Sequence, residues 1–260
     1  MNSLRGKIAL VTGAGSGIGH AIALAYAEAG ATVVCADLNG EAAQAAATEA
    51  AHHQVPTLGL EADCGDVASI NAMIDEVVNR YGRLDIIVNN AGVTRSAYIM
   101  DLTEEDWDKI HRVNAKGVFF CLQRAARQMI EQQEGRIINI ASIAGRGYKD
   151  TSNAVYAASK GAVISLTKTA SQQLGQHNIN VNSICPGATL TPLVDKMMEV
   201  RSAERGISKD EMLAKFAKPI PIGRANTPED IAAMAVFLAG PGARNITGQC
   251  YNVDGGLVTS

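Results

Sequence analysis

The chain has 260 residues, 47% of them hydrophobic, and carries a formal net charge of −3 at pH 7. This balance favours a globular domain without a nucleic-acid or membrane partner, and five cysteines lacking a C-x-x-C pair argue against a disulfide framework or a zinc ribbon. We expect a cytoplasmic protein, because neither a signal-peptide region nor an apolar stretch long enough to span a bilayer is visible.

Short apolar runs alternate with longer helical patterns along the chain. Strands are predicted at 8–12, 32–36, 57–61, 85–89, 136–141, 180–184 and 250–253, and helices near 18–29, 40–52, 67–81, 104–132, 154–175 and 228–239. Strand–helix–strand alternation predicts an α/β fold, a parallel sheet with helices on both faces. No linker divides the sequence, so residues 1–260 are interpreted as one domain.

A glycine-rich segment, T-G-A-G-S-G-I-G at residues 12–19, lies between the first strand and the first helix. Glycines let the backbone approach a pyrophosphate closely, and the helix N-terminus offers unpaired N–H groups. The spacing differs from the common dinucleotide pattern G-x-G-x-x-G, and a plain structural turn is the alternative. The position between strand and helix favours a phosphate-binding loop.

Asp37 closes the second predicted strand, within the window where dinucleotide-binding folds place an acidic residue. A carboxylate there accepts hydrogen bonds from adenosine ribose hydroxyls and repels a 2′-phosphate, so Asp37 favours NAD over NADP. The alternative is a solvated turn aspartate in the stretch 37–40. Asp63 follows the third strand, where a carboxylate could meet the adenine amino group or cap a helix.

Tyr156 and Lys160 are spaced i, i+4 in a predicted helix and therefore share one face. A tyrosine with its ordinary pKa of about 10 is a poor acid or base, and a nearby ammonium lowers that pKa. The alternative is an exposed lysine beside a packed tyrosine. Ser142 favours the catalytic interpretation, because it follows an apolar strand and strand ends of a parallel sheet face the ligand crevice.

Asn114 falls in the middle of the predicted helix 104–132, where asparagine is unfavourable because its side chain competes for backbone groups. It could kink the helix and hold a water, or it could be a satisfied buried amide. The strand end 89–92, N-N-A-G, either contacts a cofactor or forms a turn. Five histidines without an H-E-x-x-H pattern indicate no metal site.

In order and spacing, these motifs resemble those of the short-chain dehydrogenase/reductase family nearly from end to end. The resemblance implies a Rossmann-type, doubly wound sheet of about seven strands and hydride transfer between NAD(H) and a secondary alcohol or ketone. It is carried by 12–19, Asp37, Asp63, 89–92, Asn114, Ser142, Tyr156, Lys160, Pro186, Gly187, Thr189, Thr191 and 253–256. The implied catalytic tetrad is Asn114, Ser142, Tyr156 and Lys160.

The resemblance also implies the cofactor contacts. They are Gly13, Ser16, Gly17, Ile18, Gly19, Asp37, Leu38, Asp63, Cys64, Asn90, Ala91, Gly92, Tyr156, Lys160, Pro186, Gly187, Thr189 and Thr191. In that family Lys160 would also hold the nicotinamide ribose, Asn114 would anchor a proton-relay water, and Thr189 would lie in the segment that holds the carboxamide. Cys64 departs from the valine that the family often has after the adenine-site aspartate.

Residues 188–226 break the strand–helix rhythm with a long insertion of mixed polarity, which predicts a helical lid over the ligand crevice. The predicted substrate contacts are Ser142, Ala144, Tyr148, Asn153, Tyr156, Leu193 and Met197. The polar stretch 146–153 favours a small polyol, sugar alcohol or vicinal diol, in line with a finer similarity to the acetoin, butanediol and polyol branch of the family. Simple secondary alcohols are the alternative if these polar residues face solvent.

Three other functions share parts of this pattern. An acyl-carrier-protein ketoreductase, usually NADPH-linked, is disfavoured by Asp37 and by the absence of a basic residue at Ser16 or Leu38. A non-catalytic regulatory protein on the same fold would be expected to lose Tyr156 or Lys160. A sugar epimerase or dehydratase has different glycine spacing. The resemblance further implies a homotetramer with dihedral symmetry.

Overall fold

The computed structural model describes residues 3–259, except for the side chains at positions 193, 197, 200, 201 and 204. The strands are β1 (Ile8–Thr12), β2 (Thr32–Asp37), β3 (Thr57–Glu61), β4 (Ile86–Asn89), β5 (Gly135–Ile140), β6 (Ile179–Pro186) and β7 (Cys250–Val253). They form one parallel sheet in the order β3-β2-β1-β4-β5-β6-β7, which confirms the predicted doubly wound α/β fold. The strand order reverses between β1 and β4, and such a reversal opens a ligand crevice at the carboxyl ends of the strands.

Helices cover both faces of the sheet. They are α1 (Gly17–Glu28), α2 (Gly40–Ala50), α3 (Val67–Tyr81), α4 (Glu104–His111), α5 (Val118–Gln132), α6 (Ala154–Leu174), α7 (Pro192–Arg205), α8 (Lys209–Ala217) and α9 (Pro228–Ala239). Among the described residues, no helix combines the length and the apolar content needed to cross a membrane.

The central strands direct alternate side chains into two separate apolar layers. In β1, Val11 packs in the layer that holds Ile22 of α1 and Leu238 of α9. The next side chain, Leu10, packs in the opposite layer with Ile74 of α3. Since both faces are buried, the strands read as continuous apolar runs rather than as an alternation of apolar and polar residues.

The predicted helix 104–132 is interrupted in the structure. It consists of α4, a π-helical turn at Arg112–Gly117, and α5. Asn114 lies inside the π-helical turn and is fully buried. The sequence identified Asn114 as an unfavourable helix residue, and a π-turn is the form that the local distortion takes.

The segment 188–226 leaves the sheet and returns to it at one place. Leu190 N donates to Asn226 O, and Asn226 N donates to Ala188 O, both at 2.8 Å. The Asn226 side chain also donates to the carbonyl of Val253 at 2.6 Å. Helices α7 and α8 therefore form a closed excursion anchored beside the carboxyl end of β6.

Asp85 anchors the amino ends of two strands. The sequence placed it inside the fourth strand, but β4 begins at Ile86 and the Asp85 carboxylate turns back toward β1. It is 2% exposed, accepts from Ile8 N at 2.8 Å, and receives a second hydrogen bond from Arg83 Nε at 3.0 Å. A buried carboxylate with these partners is costly to remove, because its donors then lose their acceptor.

We predict that Asp85→Ala lowers the free energy of unfolding by about 2–4 kcal/mol, because it leaves a buried N–H and a guanidinium without an acceptor. Asp75→Ala is the matched control. It breaks an ion pair between Arg124 and a half-exposed carboxylate, and it should cost less than about 1 kcal/mol. Urea unfolding at pH 7 measures both values, and equal losses would contradict the anchoring role of Asp85.

Candidate active site

A cavity of about 540 Å³ opens at the carboxyl ends of the central strands. The segments after β4, β5 and β6 contribute Gly92, Ser142 and Gly187 to its wall. The segment 188–226, predicted to be a lid, contributes Val194 and Phe216 from the other side. The cavity therefore lies where the reversal in strand order predicts a ligand crevice.

Twelve of the residues predicted from the sequence line this one cavity. They are Ile18, Asn90, Gly92, Ser142, Ala144, Tyr148, Tyr156, Lys160, Pro186, Gly187, Thr189 and Thr191. Eleven others lie outside its wall, namely Gly13, Ser16, Gly17, Gly19, Asp37, Leu38, Asp63, Cys64, Ala91, Asn114 and Asn153. Leu193 and Met197 belong to the side chains that the structure does not describe.

The glycine-rich loop has the shape that a phosphate site requires. Helix α1 begins at Gly17, whose φ of +58° is in the left-handed region that favours glycine. A Cβ at Gly19 would lie 2.1 Å from the carbonyl oxygen of Gly13, so only glycine allows this close packing. Ser16, at the N-cap, is exposed and makes no side-chain capping hydrogen bond. The first N–H groups of α1 thus remain available to an anion, which fits a dinucleotide pyrophosphate.

Asp37 is fixed at the edge of this loop. Its Oδ2 accepts from Gly15 N at 2.9 Å and its Oδ1 accepts from Asn39 N at 3.0 Å. Each oxygen retains a lone pair for a ligand, so the turn interpretation and the ribose interpretation are compatible. Leu38 beside it is 69% exposed. This carboxylate fits the hydroxyls of an adenosine ribose and would repel a 2′-phosphate.

The loop after β4 is locked to the glycine-rich loop by Asn90. Its Nδ2 donates to the carbonyls of Thr12 and Gly13, at 2.9 and 3.1 Å. In return, Thr12 Oγ1 accepts from the backbone N–H groups of Asn90 and Ala91. Ala91 thus has a structural contact through its backbone, while Asn90 and Gly92 reach the cavity.

Asp63 and Cys64 lie away from the cavity. The Asp63 carboxylate accepts from Gly65 N at 2.7 Å and lies 3.6 Å from the Arg112 guanidinium. Cys64 is buried next to Cys121, where burial and the neighbouring thiol raise the pKa of Cys121. Within the described part of the chain, all five cysteines are free thiols, and no three His, Cys, Asp or Glu side chains are grouped as metal ligands.

Tyr156 and Lys160 lie one turn apart at the start of α6, and both line the cavity. Lys160 is 4% exposed, and its Nζ donates to the carbonyl of Ile140 at 2.7 Å. Its Nζ lies 5.8 Å from the centre of the Tyr156 ring. Burial lowers the pKa of Lys160 to about 8, since the charged form loses its hydration.

The pKa of Tyr156 is raised in this structure, not lowered. Burial of the phenol is the main cause, and the hydrogen bond to Ser142 acts in the opposite direction. The sequence predicted that the Lys160 ammonium would lower this pKa. That expectation does not hold for the protein alone, because the Lys160 ammonium is directed to Ile140 and burial disfavours the phenolate more strongly.

The Asn114 amide is buried and its hydrogen-bonding groups have partners, which is one of the two alternatives considered from the sequence. Its Oδ1 accepts from Val93 N at 2.8 Å and its Nδ2 donates to Val93 O at 2.9 Å. The same Nδ2 lies 3.2 Å from Ser159 Oγ on α6. The side chain thereby fixes Val93, a residue of the cavity wall, against the helix that carries Tyr156.

The placement of Asn153 corrects a predicted substrate contact. Asn153 is buried, its Oδ1 accepts from Tyr156 N at 2.7 Å, and its Nδ2 donates to Arg95 O at 2.7 Å. Both ends of the amide are used to cap α6 and to hold the 94–95 segment. The neighbouring residues Thr151 and Ser152 line the cavity instead.

Other cavity residues were not identified from the sequence. They include Val93, Thr94, Thr151, Ser152, Val194, Phe216 and Leu257. Thr151 and Ser152 lie in the polar stretch 146–153, and Phe216 lies in the predicted lid. The sequence therefore pointed to these two regions as substrate-facing but did not identify the individual residues. No sequence pattern pointed to Leu257, because its approach to the cavity depends on the path of the chain after β7.

The family model described as Enoyl-(Acyl carrier protein) reductase matches residues 13–258. The 3-oxoacyl-(acyl-carrier-protein) reductase of Thermotoga maritima is 39% identical over 255 residues, which cover 98% of this chain and 99% of the relative. The sorbitol dehydrogenase of Cereibacter sphaeroides is 41% identical over 254 residues, which cover 97% of this chain and 98% of the relative.

Solved structures match to the same extent. A short-chain type dehydrogenase/reductase from Mycobacterium marinum has a TM-score of 0.90 at 34% identity and covers 100% of this chain and 98% of its own. An NAD+-bound xylitol dehydrogenase has a TM-score of 0.89 at 32% identity and covers 97% of this chain and 99% of its own. Both matches extend over the glycine-rich loop and the cavity.

The burial of Lys160 can be tested without a substrate. Between about pH 8 and the usual lysine pKa of 10.5, the folded protein binds fewer protons than the unfolded chain. We therefore compare the free energy of unfolding of the unaltered protein with that of Lys160→Met. The difference should be constant below pH 8 and should rise in favour of the unaltered protein by about 1.4 kcal/mol per pH unit above it.

Urea unfolding at several pH values between about 7 and 10 measures this difference. Lys168→Met removes an exposed lysine from the same helix and serves as the control for the loss of a lysine side chain. If the difference in the free energy of unfolding between the unaltered protein and Lys160→Met stayed constant or fell with rising pH, Lys160 would have an ordinary pKa.

Proposed function

The chain belongs to the short-chain dehydrogenase/reductase family, and on that premise we propose that it is an NAD-dependent dehydrogenase of a small polyol, sugar alcohol or vicinal diol, oxidised at a secondary carbon. One observation carries the proposal. Ser142, Tyr156 and Lys160, separated in sequence, meet in a single cavity whose wall also includes Ile18 of the glycine-rich loop. This arrangement can orient a hydroxyl, move its proton, and hold a nicotinamide cofactor beside it.

The cofactor would be held by the glycine-rich loop at the pyrophosphate, by Asp37 at the adenosine ribose, and by Lys160 and Thr189 near the nicotinamide. When bound, NAD(H) accepts or supplies the hydride. The sorbitol dehydrogenase relative and the NAD+-bound xylitol dehydrogenase support both the cofactor and the polyol class. The carboxylate of Asp37 supports NAD over NADP.

Tyr156 is the proposed acid and base. During oxidation its phenolate oxygen takes the proton of the substrate hydroxyl, and during reduction the phenol returns a proton to the carbonyl oxygen. Ser142 Oγ accepts from Ala144 N at 3.1 Å, and its single proton, which favours the Tyr156 phenolate, would donate to the substrate oxygen once that oxygen lies between the two hydroxyls. The two hydroxyls together would hold the reacting oxygen in one position.

Lys160 is the proposed source of positive charge for this step. Its ammonium is held in place by the Ile140 carbonyl, and it would favour the phenolate of Tyr156 as negative charge develops on the phenol. Because burial lowers the pKa of Lys160 to about 8, the lysine loses this charge in more alkaline solution. Asn114 would act as a positioning residue through Val93 and Ser159.

A 3-oxoacyl-(acyl-carrier-protein) reductase is the second candidate, because a relative of that name is 39% identical over nearly the full chain. A screen of NAD+ reduction with polyols and secondary alcohols, run beside NADPH oxidation with an acetoacetyl thioester, separates the two. Turnover of the thioester alone would overturn the polyol proposal.

We further propose that the protein assembles as a homotetramer. Two large apolar side chains, Trp107 on α4 and Phe119 on α5, are substantially exposed on the single chain. Burial of such side chains between copies is favourable, and a two-fold axis beside α4 and α5 would pair them. A dihedral tetramer needs a second two-fold axis, which the family resemblance places at the C-terminal segment.

Tyr156→Phe should lower kcat by about 10²–10⁴, because it removes the proton acceptor while keeping the ring. Tyr98→Phe makes the same change at an exposed phenol and should leave kcat unaltered. Thermal unfolding and NAD+ binding, measured for both variants, should match the unaltered protein. Near-normal kcat in Tyr156→Phe would remove Tyr156 from the chemistry.

Asp37→Ser should lower the ratio of kcat/KM with NAD+ to kcat/KM with NADP+ by at least about tenfold. The substitution removes both the repulsion of the 2′-phosphate and a hydrogen-bond acceptor for the ribose. Asp75→Ser is the control at a half-exposed carboxylate on α3 and should leave the ratio unchanged. If the unaltered protein used both cofactors equally well, Asp37 would have no role in selection.

A further inference from the structure

The cavity has walls of different chemistry. On the lid side, Val194, Phe216 and Pro219 face the space with apolar groups. On the opposite side, Thr94, Thr151 and Ser152 bring hydroxyl-bearing side chains to the wall. These hydroxyls come from two separate segments, one after β4 and one before α6, so the polar wall is a product of the fold.

Thr94 and Ser152 form a coupled pair. Their hydroxyl oxygens lie 2.7 Å apart, which makes one a donor and the other an acceptor. Since each hydroxyl carries one proton and the pair uses only one of them, a donor and acceptor lone pairs remain for a ligand.

Asn153 donates to this pair. Its Oδ1 must accept from the backbone N–H of Tyr156, so its Nδ2 is the atom that lies 3.3 Å from Thr94 Oγ1 as a donor. Thr94 Oγ1 accepts this bond with one lone pair, and either hydroxyl of the pair can donate to the other. Where Thr94 donates to Ser152, the Ser152 proton is free for a ligand, and the Ser152 side chain lines the cavity.

Thr151 adds a second unsatisfied hydroxyl on the same wall. Its Oγ1 is buried and has no hydrogen-bond partner among the described residues. Rotation about χ1 exchanges this hydroxyl with the methyl group, and a ligand oxygen in the cavity would favour that rotation.

From this arrangement we infer that Ser152, oriented by Thr94, binds a second hydroxyl of the substrate while Ser142 and Tyr156 hold the reacting one. The inference rests on the proposed function and adds the residues that select a polyol over a mono-alcohol. The charged side chain on the lid side, Lys215, is paired with Glu211 at 2.9 Å, whereas the opposite wall carries the hydroxyls of Thr94, Thr151 and Ser152. A neutral hydroxyl is therefore the ligand group that this wall matches.

The test compares 2,3-butanediol with 2-butanol, which lacks only the second hydroxyl. The unaltered protein should prefer the diol in kcat/KM. Ser152→Ala removes a hydrogen bond that only the diol makes, and Thr94→Val removes the partner that orients Ser152. Each variant should therefore lower the diol-to-mono-alcohol ratio by about tenfold and leave 2-butanol turnover within about twofold. Thr151→Val should lower the ratio in the same direction.

Conservative variants keep the test informative if a variant folds poorly. Thr94→Ser and Ser152→Thr retain a hydroxyl and should retain the ratio. Ser165→Ala removes an exposed hydroxyl from α6 and is the control for the substitution itself. Thermal unfolding and NAD+ binding establish that each variant is folded and binds the cofactor.

The outcomes separate the inference from the function on which it rests. If the diol-to-mono-alcohol ratio is unchanged in Ser152→Ala and Thr94→Val, the inference is wrong, and the proposed dehydrogenase function stands without it. Equal losses for the diol and 2-butanol also overturn it, because they assign these residues to general positioning. Turnover of an acetoacetyl thioester without oxidation of either alcohol overturns both the inference and the polyol function.

Discussion

The hydrogen bond from the buried Lys160 ammonium to the carbonyl of Ile140 joins helix α6 to the end of strand β5. Tyr156 lies one turn before Lys160, and Ser142 lies two residues after Ile140, so this contact fixes both in register. A buried ammonium needs an acceptor, because an unpaired charge in this environment costs several kcal/mol. The geometry of the proposed catalytic residues therefore depends on one hydrogen bond from a buried charge.

Asparagine amides organise the rest of the site. Asn90 ties the loop after β4 to the glycine-rich loop, Asn114 holds Val93 against α6, and Asn153 caps the turn that carries Tyr156. Asn114 uses both its oxygen and its nitrogen on Val93, and Asn153 uses its oxygen on Tyr156 N and its nitrogen on Arg95 O. Asn90 donates through its nitrogen to the carbonyls of Thr12 and Gly13. An amide can replace a missing backbone partner in this way, which lets irregular loops stay ordered beside a cavity.

Burial has opposing consequences for catalysis. It excludes water from Tyr156 and Lys160, but it also raises the pKa of the phenol and lowers the pKa of the ammonium. Both shifts disfavour the charged pair that proton transfer needs. In the proposed reaction, the Ser142 hydroxyl and the positive charge of Lys160 counteract this cost where the reacting hydroxyl would bind, so the strength of the proposed base depends on the occupied site.

The sequence by itself determined the strand and helix alternation, the glycine-rich loop, and the i, i+4 spacing of Tyr156 and Lys160, because these are local patterns that backbone geometry imposes. Only the tertiary structure decided that 104–132 is broken by a π-turn and that Asn153 caps a helix while Ser152 reaches the cavity. It also decided the direction of the Tyr156 pKa shift. Burial and hydrogen-bond partners come from segments far apart in the chain, and no local pattern encodes which of two neighbouring side chains will face a shared cavity.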